Sequence, residues 1–495
     1  MALRDGAPFQ EFLEFVCRAK RVKRQSFEWM VFLMKHIMLL FLLVAANSAQ
    51  AQTNRYNVLF IAVDDLRPEL GCYGAEYAQT PNMDKLASTG MLFNKHYVQV
   101  ATCHSSRQSM LTGRSPGAGK RKPQQGARFM PELFRRSGYH TTCIGKISHS
   151  PDGRKFQYSG KGDGEMELPN AWDVLSTPFG PWKRGWGVFF AYADGKHRED
   201  GQGHKDLMQF TVEKDSDLPD GMMAETAVET LRQYKKSGER FFLGLGFYKP
   251  HLPFVAPKQD WEAFSEVEIP LPAIGKIDSE FWHGSGEFYK YNARHEKTRP
   301  LSLKATQQSR RAYLACVRYT DRQVGKVLDA LHKLELEQET VVVLWGDHGW
   351  HLGEQQIWGK HSPFERANRS VLIIRMPGMK MAGVKTDAVV ESLDLFPTLI
   401  ELCKPTFSKT QNQLDGESLV PLLRTGVGDR DDVAISYWND AISVRDQTHR
   451  LVYNKKTKIS KLYDLSINLD NPIDSANEFP KIVNRLEKAI PKSSK

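Results

Sequence analysis

Cys103, His104, Ser105, Ser106 and Arg107 are followed, after Gln108-Ser109-Met110, by Leu111-Thr112-Gly113-Arg114. A nucleophile or its precursor at Cys103 would lie one helical turn from the Arg107 guanidinium, which suits a bidentate grip on an oxyanion. Two acidic clusters lie far away in the chain, Asp64-Asp65 and Asp347-His348. Asp64, Asp65 and Asp347 offer hard oxygen donors, a set that suits Ca2+ better than Zn2+. Taken singly, a cysteine is usually a buried thiol, an Asp-Asp pair after a strand a helix cap, and Asp-His-Gly a turn. Their joint presence argues for one site at which a nucleophile, a cation and an anion clamp meet.

Residues 57–63 (NVLFIAV), 241–247 (FFLGLGF) and 341–346 (VVVLWG) are apolar runs of the kind buried in parallel sheets. Each ends in polar residues: Asp64-Asp65, Lys249-Pro250-His251 and Asp347-His348. Ligands of open α/β sheets sit beyond the carboxyl ends of the strands, so these groups are expected at a common edge. Helices are predicted from Thr80 as N-cap and Pro81 to Gly90, over 105–112 closed by Gly113, over 223–236 and over 305–334. The second of these puts Cys103 at a helix N-terminus, where free amides favour an anion. The alternation predicts an α/β fold, a mostly parallel sheet flanked by helices. Residues 150–220 read as a long insertion of loops with short elements. Beyond residue 430, the short runs 433–437, 441–445 and 450–454 predict a small antiparallel sheet, followed by a closing helix over 479–489.

The 495 residues are 41% hydrophobic and carry a formal charge of +10. That is ample for a large domain plus a small one, with divisions expected at 1–51 (leader), 52–430 and 431–495. A basic surface suits polyanions. The basic residues are scattered and no nucleic-acid motif is visible, so a nucleic-acid partner is not expected, whereas a sulfated polysaccharide fits. Residues 37–46 (IMLLFLLVAA) followed by Ala49-Gln50-Ala51 read as a signal peptide with its cleavage site, starting at Met34 or carrying a long upstream n-region. The run is too short for stable membrane insertion. The chain is therefore expected to be secreted or periplasmic. Of six cysteines, Cys17 lies in the leader and Cys72, Cys143, Cys316 and Cys403 are widely spaced, against a dense disulfide framework.

The motif around Cys103 resembles that of type I sulfatases, and Asp347-His348-Gly349-Trp350-His351-Leu352-Gly353-Glu354 with Gly359-Lys360-His361-Ser362 resembles the iduronate-2-sulfatase branch. Thr80–Ala87 and Asp394–Leu399 are also sulfatase-like, so the likeness extends over most of 57–470. The resemblance implies the alkaline-phosphatase-like fold with a smaller C-terminal antiparallel-sheet subdomain. It implies that a maturation enzyme converts Cys103 to formylglycine, whose hydrated gem-diol attacks sulfur through one hydroxyl and expels sulfate through the other. Ser105 stands where the family motif has Pro or Ala. The implied metal set is Asp64, Asp65, Cys103 after conversion, Asp347 and His348, holding Ca2+ rather than Mg2+. Arg107 would clamp sulfate. Gly145-Lys146-Ile147-Ser148-His149 matches a family motif in which Lys146 binds sulfate and the diol while His149 takes a proton during sulfate expulsion. His251 and Lys360 would meet the ester oxygen as it leaves.

The implied activity is hydrolysis of a sulfated glycan, with iduronate 2-sulfate as lead substrate. Pro181–Trp186 and the segment from Trp282 to Arg299 mix aromatic and basic residues and are candidates to border the pocket. Two other readings stay open: a phosphoesterase or phosphonate monoester hydrolase of the same superfamily, and a non-catalytic glycan-binding protein if Cys103 stays a thiol.

Overall fold

A computed structural model describes residues 55–494 apart from 117–125, 159–160, 273–283, 292–299, 412, 429–432 and 467. The leader read at 1–51 lies outside the described residues. Residues from Arg55 onward form one compact unit.

Strand β1 (Asn57–Val63) is buried along its whole length. Its side chains alternate: Val58, Phe60 and Ala62 enter one apolar layer, Leu59, Ile61 and Val63 the other. Cover on both faces is why its apolar run is unbroken. There follow α1 (Pro81–Thr89), β2 (Met91–Tyr97), α2 (Cys103–Thr112), β3 (His140–Gly145), β4 (Val174–Leu175) and α3 (Pro219–Ser237). Then come β5 (Phe241–Phe247), α4 (Leu303–Lys333), β6 (Thr340–Gly346), β7 (Leu372–Arg375) and β8 (Lys385–Glu391). The strands assemble in the order β8-β2-β7-β6-β1-β5-β3-β4. Only β7 runs against its neighbours, β6 and β2; the other pairings are parallel.

Helices α3 and α4 pack on one face of the sheet through Met223, Ala227, Leu231, Tyr313, Val317 and Val324. On the other face, Met110 and Leu111 of α2 join Leu133 and Phe396. Thr80 occupies the N-cap position of α1, but its hydroxyl accepts from the Gly71 amide at 2.9 Å and makes no cap bond. The free amides of Asn82 and Met83 are met by the Asp321 carboxylate from α4, at 3.2 and 2.8 Å. A buried helix-to-helix bond thus replaces the local cap read from sequence.

Strands β9 (Ala434–Trp438), β10 (Ala441–Arg445), β11 (His449–Asn454) and β12 (Ser460–Asp464) form an antiparallel meander, followed by α5 (Pro480–Ala489). This small sheet is pinned to the large one. The Tyr437 amide donates to the Gln99 carbonyl at 2.7 Å, and buried Glu365 pairs with Arg450 at 2.5 Å and Arg445 at 3.2 Å. Up to the start of α3, the described residues of 150–220 hold only short elements, among them the four-residue helix Trp186–Phe189.

Candidate active site

Four adjacent parallel strands, in the order β6-β1-β5-β3, end at one edge of the sheet. β1 delivers Asp64-Asp65, β3 delivers Lys146 and His149, β5 delivers His251, and β6 delivers Asp347-His348. Gly145 pairs with Gly246 at the end of β3, and a Cβ on either would lie 2.1 Å from a carbonyl oxygen. Two glycines therefore let the backbones close, and Lys146 leaves the sheet with its amide on the Gly246 carbonyl at 2.9 Å. Asp65 is turned by a left-handed backbone (φ 62°). The Tyr313 hydroxyl from α4 holds that turn, donating to the Asp65 carbonyl at 2.8 Å and accepting from the Arg67 amide at 3.0 Å.

Cys103 opens α2 at the centre of these groups. Its Sγ lies 3.3 Å from each of Asp64 Oδ1, His348 Nε2 and Lys360 Nζ. Asp64 Oδ2 accepts from Lys146 Nζ at 2.6 Å and Arg107 Nη2 at 3.1 Å. Asp347 accepts from the Asp65 amide at 3.0 Å and from Arg107 Nε at 2.9 Å. Asp65 Oδ1 accepts from Lys360 Nζ at 2.9 Å, while its Oδ2 is buried without a hydrogen-bond partner among the described residues.

Charge sorts the groups. Burial would raise the Asp64 carboxyl, but Lys146 and then Arg107 outweigh it and hold the group well below the carboxylate range. Asp65 is raised instead, by burial and, against the pull of Lys360, by Asp64 and Asp347 beside it. Burial, then Asp64, pushes the Cys103 thiol up, so a thiolate nucleophile is disfavoured. Burial holds His348 down at about 4. Its Nδ1 faces the Gly349 carbonyl at 3.0 Å and must donate there, which leaves the Nε2 lone pair aimed at the cluster.

One donor atom from each of Asp64, Cys103, Asp347 and His348 lies within 4.8 Å of all the others. Two ligands on opposite sides of a Ca2+ ion with bonds of about 2.4 Å are separated by about the same distance. The unpartnered Asp65 oxygen and the carboxylate crowding that raises Asp65 point the same way. These residues fit a divalent cation.

Above this floor lies a cavity of about 1240 Å³ lined by Cys103, Lys146, His149, His251 and Lys360. Its wall carries Tyr158 stacked on Trp186 at 4.3 Å, with Phe190 stacked on Trp186 at 5.8 Å. Arg198, Glu287 and Lys290 also face it.

The Sulfatase family profile matches residues 56–404. This chain belongs to the sulfatase family. It is a sulfuric ester hydrolase. It is 31% identical to iduronate 2-sulfatase of Mus musculus over 406 residues, covering 73% of this chain and 71% of the relative. A sulfatase of Formosa agariphila is 29% identical over 498 residues, covering 90% and 89%. Among solved structures, a protein in complex with its substrate D-glucosamine-2-N,6-O-disulfate superposes with a TM-score of 0.68 at 21% identity, covering 88% of this chain and 97% of that one. The phosphonate monoester hydrolase of Agrobacterium radiobacter gives 0.69 at 20% identity, covering 88% and 94%. The sheet order and these neighbours make the fold alkaline-phosphatase-like, as the motifs imply.

All ten residues singled out from the sulfatase-like motifs gather within this one region. Five line the cavity, and Asp64, Asp65, Arg107, Asp347 and His348 lie beneath its floor. Arg107 departs from the expected sulfate clamp. Its guanidinium is fully buried and taken up by Asp64, Asp347 and the Lys146 carbonyl, so it braces the carboxylates from behind. Of the loop Pro181–Trp186, only Trp186 faces this cavity. Trp182 is buried with its Nε1 on the Tyr192 carbonyl at 2.8 Å, and exposed Arg184 covers Phe179. In the second candidate segment, Trp282 and Arg299 lie outside the described residues, while Gly284, Gly286, Glu287 and Lys290 line the cavity. Sequence reasoning missed Glu287, whose carboxylate lies 3.5 Å from His251 Nε2 and 3.7 Å from Lys360 Nζ. The aromatic and basic residues of that segment mark it as a pocket border, but a single carboxylate among them carries no sequence signal. Sequence reasoning also missed Arg198, which no motif marks.

Proposed function

We propose that this sulfatase hydrolyses a sulfate ester of a sulfated, uronic-acid-containing glycan, with iduronate 2-sulfate the first substrate to try. The reading takes Cys103 as the site of oxidation to formylglycine by a maturation enzyme, Ca2+ as the divalent ion, with Mg2+ the lesser candidate, and the secreted or periplasmic space as the location. The observation that carries it is the position of Cys103: at a helix N-terminus on the cavity floor, touching a carboxylate, an imidazole and an ammonium at once. Residues 64, 65, 103, 347 and 348 would hold the ion, which would draw charge from the sulfate and acidify the hydroxyl of the modified side chain.

The chain's own groups then divide the work. Lys146 and Lys360 present ammonium groups to the sulfate oxygens. Despite burial, Asp64 raises the first and Asp65 the second, so both stay charged. Burial, then Lys146 and His104, brings His149 down to about 3, so its ring is neutral, and it becomes a stronger proton acceptor only when a bound sulfate offsets the Lys146 charge. Burial and then Lys360 hold His251 well below the imidazole range, with Glu287 opposing. Lys360 is therefore the proton-bearing member of the pair that would face the bridging oxygen, with His251 beside it. Net positive charge among the groups lining the cavity favours the charge that builds on the leaving oxygen.

The test is hydrolysis of 4-nitrophenyl sulfate by protein made with and without a formylglycine-generating enzyme, with mass spectrometry of the Cys103 peptide. Activity should track conversion of the thiol to an aldehyde and vanish in Cys103→Ala. Sulfate esters inert alongside rapid phosphonate monoester turnover would favour the other enzyme class sharing this fold. An unmodified thiol in active protein would overturn the mechanism.

A further inference from the structure

We infer that Arg198 pairs with a second anionic group, a carboxylate or a further sulfate, carried by the same sugar ring as the scissile ester. The inference rests on the reading above and deepens it. Arg198 lines the cavity, and its side chain is 17% exposed, so an ion pair there is partly shielded from water, unlike one on an open surface. The guanidinium is held in a defined plane. Its Cζ lies 3.4 Å from the Phe190 ring centroid, Nη1 donates to the Tyr291 hydroxyl at 2.8 Å, and Nε donates to Glu199 at 2.8 Å. Nη2 has no hydrogen-bond partner among the described residues.

Position supports the assignment. The Phe190 ring that carries Arg198 has its centroid 6.0 Å from that of His251, beside the expected leaving oxygen. Arg198 and His251 thus share Phe190 as a neighbour, which puts the guanidinium in the same part of the cavity as the expected leaving oxygen. Charge supports it too. Lys146 and Lys360 are matched at 2.6 and 2.9 Å by Asp64 and Asp65 and serve the ester sulfate. Arg198, with exposed Lys205 and Lys290, adds cationic groups that Glu199 and Glu287 offset only in part. A sugar whose only charge is the scissile sulfate would leave the remainder of that outer charge unanswered, and a pre-oriented guanidinium is the side chain suited to an oxyanion.

The test reads binding, without turnover, in Cys103→Ala protein by titration calorimetry. Four ligands form two pairs: iduronic acid 2-sulfate against methyl idoside 2-sulfate, and glucosamine N,6-disulfate against N-acetylglucosamine 6-sulfate. Adding Arg198→Met keeps aliphatic cover on Phe190 and removes the charge. It should weaken one dianionic ligand about 10- to 100-fold more than its monoanionic partner. The pair that responds says whether the group is carboxylate or sulfate. Arg198→Lys keeps charge and stacking but not the planar fork, and should show a smaller loss in the same pair. It carries the comparison if the Met variant does not fold. Equal weakening within both pairs, or none, overturns the inference. Hydrolysis of sulfate esters is scored separately, so either reading can fall without the other.

Discussion

Replacing Arg107 with Met should cost the metal-free protein about 4 kcal/mol of stability, within the range of about 3–5 for removing one partner of a buried ion pair. The guanidinium is fully buried and shared by Asp64 at 3.1 Å and Asp347 at 2.9 Å. The two losses do not add, because Asp64 keeps Lys146 at 2.6 Å. Among the described residues Asp347 then keeps only the Asp65 amide at 3.0 Å, because His348 Nε2 at 3.7 Å offers a lone pair and no proton, so the stranded charge is mainly Asp347. A loss of about 4 kcal/mol lowers the folded-to-unfolded ratio by about 10³. Ca2+ should then restore more in the variant than it adds to the unsubstituted protein. At a hundredfold excess over Kd the ion supplies about 2.7 kcal/mol to any protein that binds it only when folded. Removing a cation from behind the ligands tightens that binding further. Urea unfolding followed by tryptophan fluorescence, in EDTA and in CaCl2, measures both effects. A loss below about 1 kcal/mol in EDTA refutes the buried-brace reasoning. A raised KM with stability intact would return Arg107 to the role of substrate clamp.

Asp347→Asn should weaken Ca2+ binding at least about tenfold, read by titration of the metal-free protein. Lys360→Ala should slow alkyl sulfates by about 10²–10⁴ but 4-nitrophenyl sulfate far less, because that leaving group needs little protonation; equal slowing would remove Lys360 from the leaving-group side. Asp220 gives a pH test away from the site. Burial, opposed by Lys249, raises its carboxyl to about 6, and its Oδ2 has no hydrogen-bond partner among the described residues. A carboxyl raised on folding stabilises most below its unfolded value near 3.8, and that contribution is lost as the pH climbs through about 6. Asp220→Asn keeps an acceptor for the Tyr248 and Lys249 amides, so it should flatten stability between about pH 4 and 6. It should also gain up to about 3 kcal/mol at pH 7.5 in denaturant unfolding.

The strand ends were legible because chemistry and periodicity coincide there. β1 is a continuous apolar run that stops at two aspartates, and a strand buried on both faces has no other way to look. Cys103 at a helix start was readable from Gly113, the left-handed cap that closes α2 (φ 64°). Arg107 was misplaced because its spacing from Cys103 fixes the helix turn but not which neighbours claim the guanidinium; Asp64 and Asp347 come from strands far away in sequence. The brace on α1 by Asp321 escaped for the same reason, since a local cap and a cap from a distant helix have the same N-terminal sequence. Glu287 and Arg198 lie in loops without periodicity, where only three-dimensional proximity distinguishes a pocket wall from a surface.

Glu365 ties the small sheet to the chemistry. It follows Lys360 by five residues and is almost fully buried, its charge met by Arg450 from β11 and Arg445 from β10. A chain shortened before β9 would strand a carboxylate in the interior a few residues from an ammonium the reaction needs. The meander is thus no removable appendage: insertions or deletions that shift its register should be felt first as a misplaced Lys360, and the two parts would have to change together as the family diversifies.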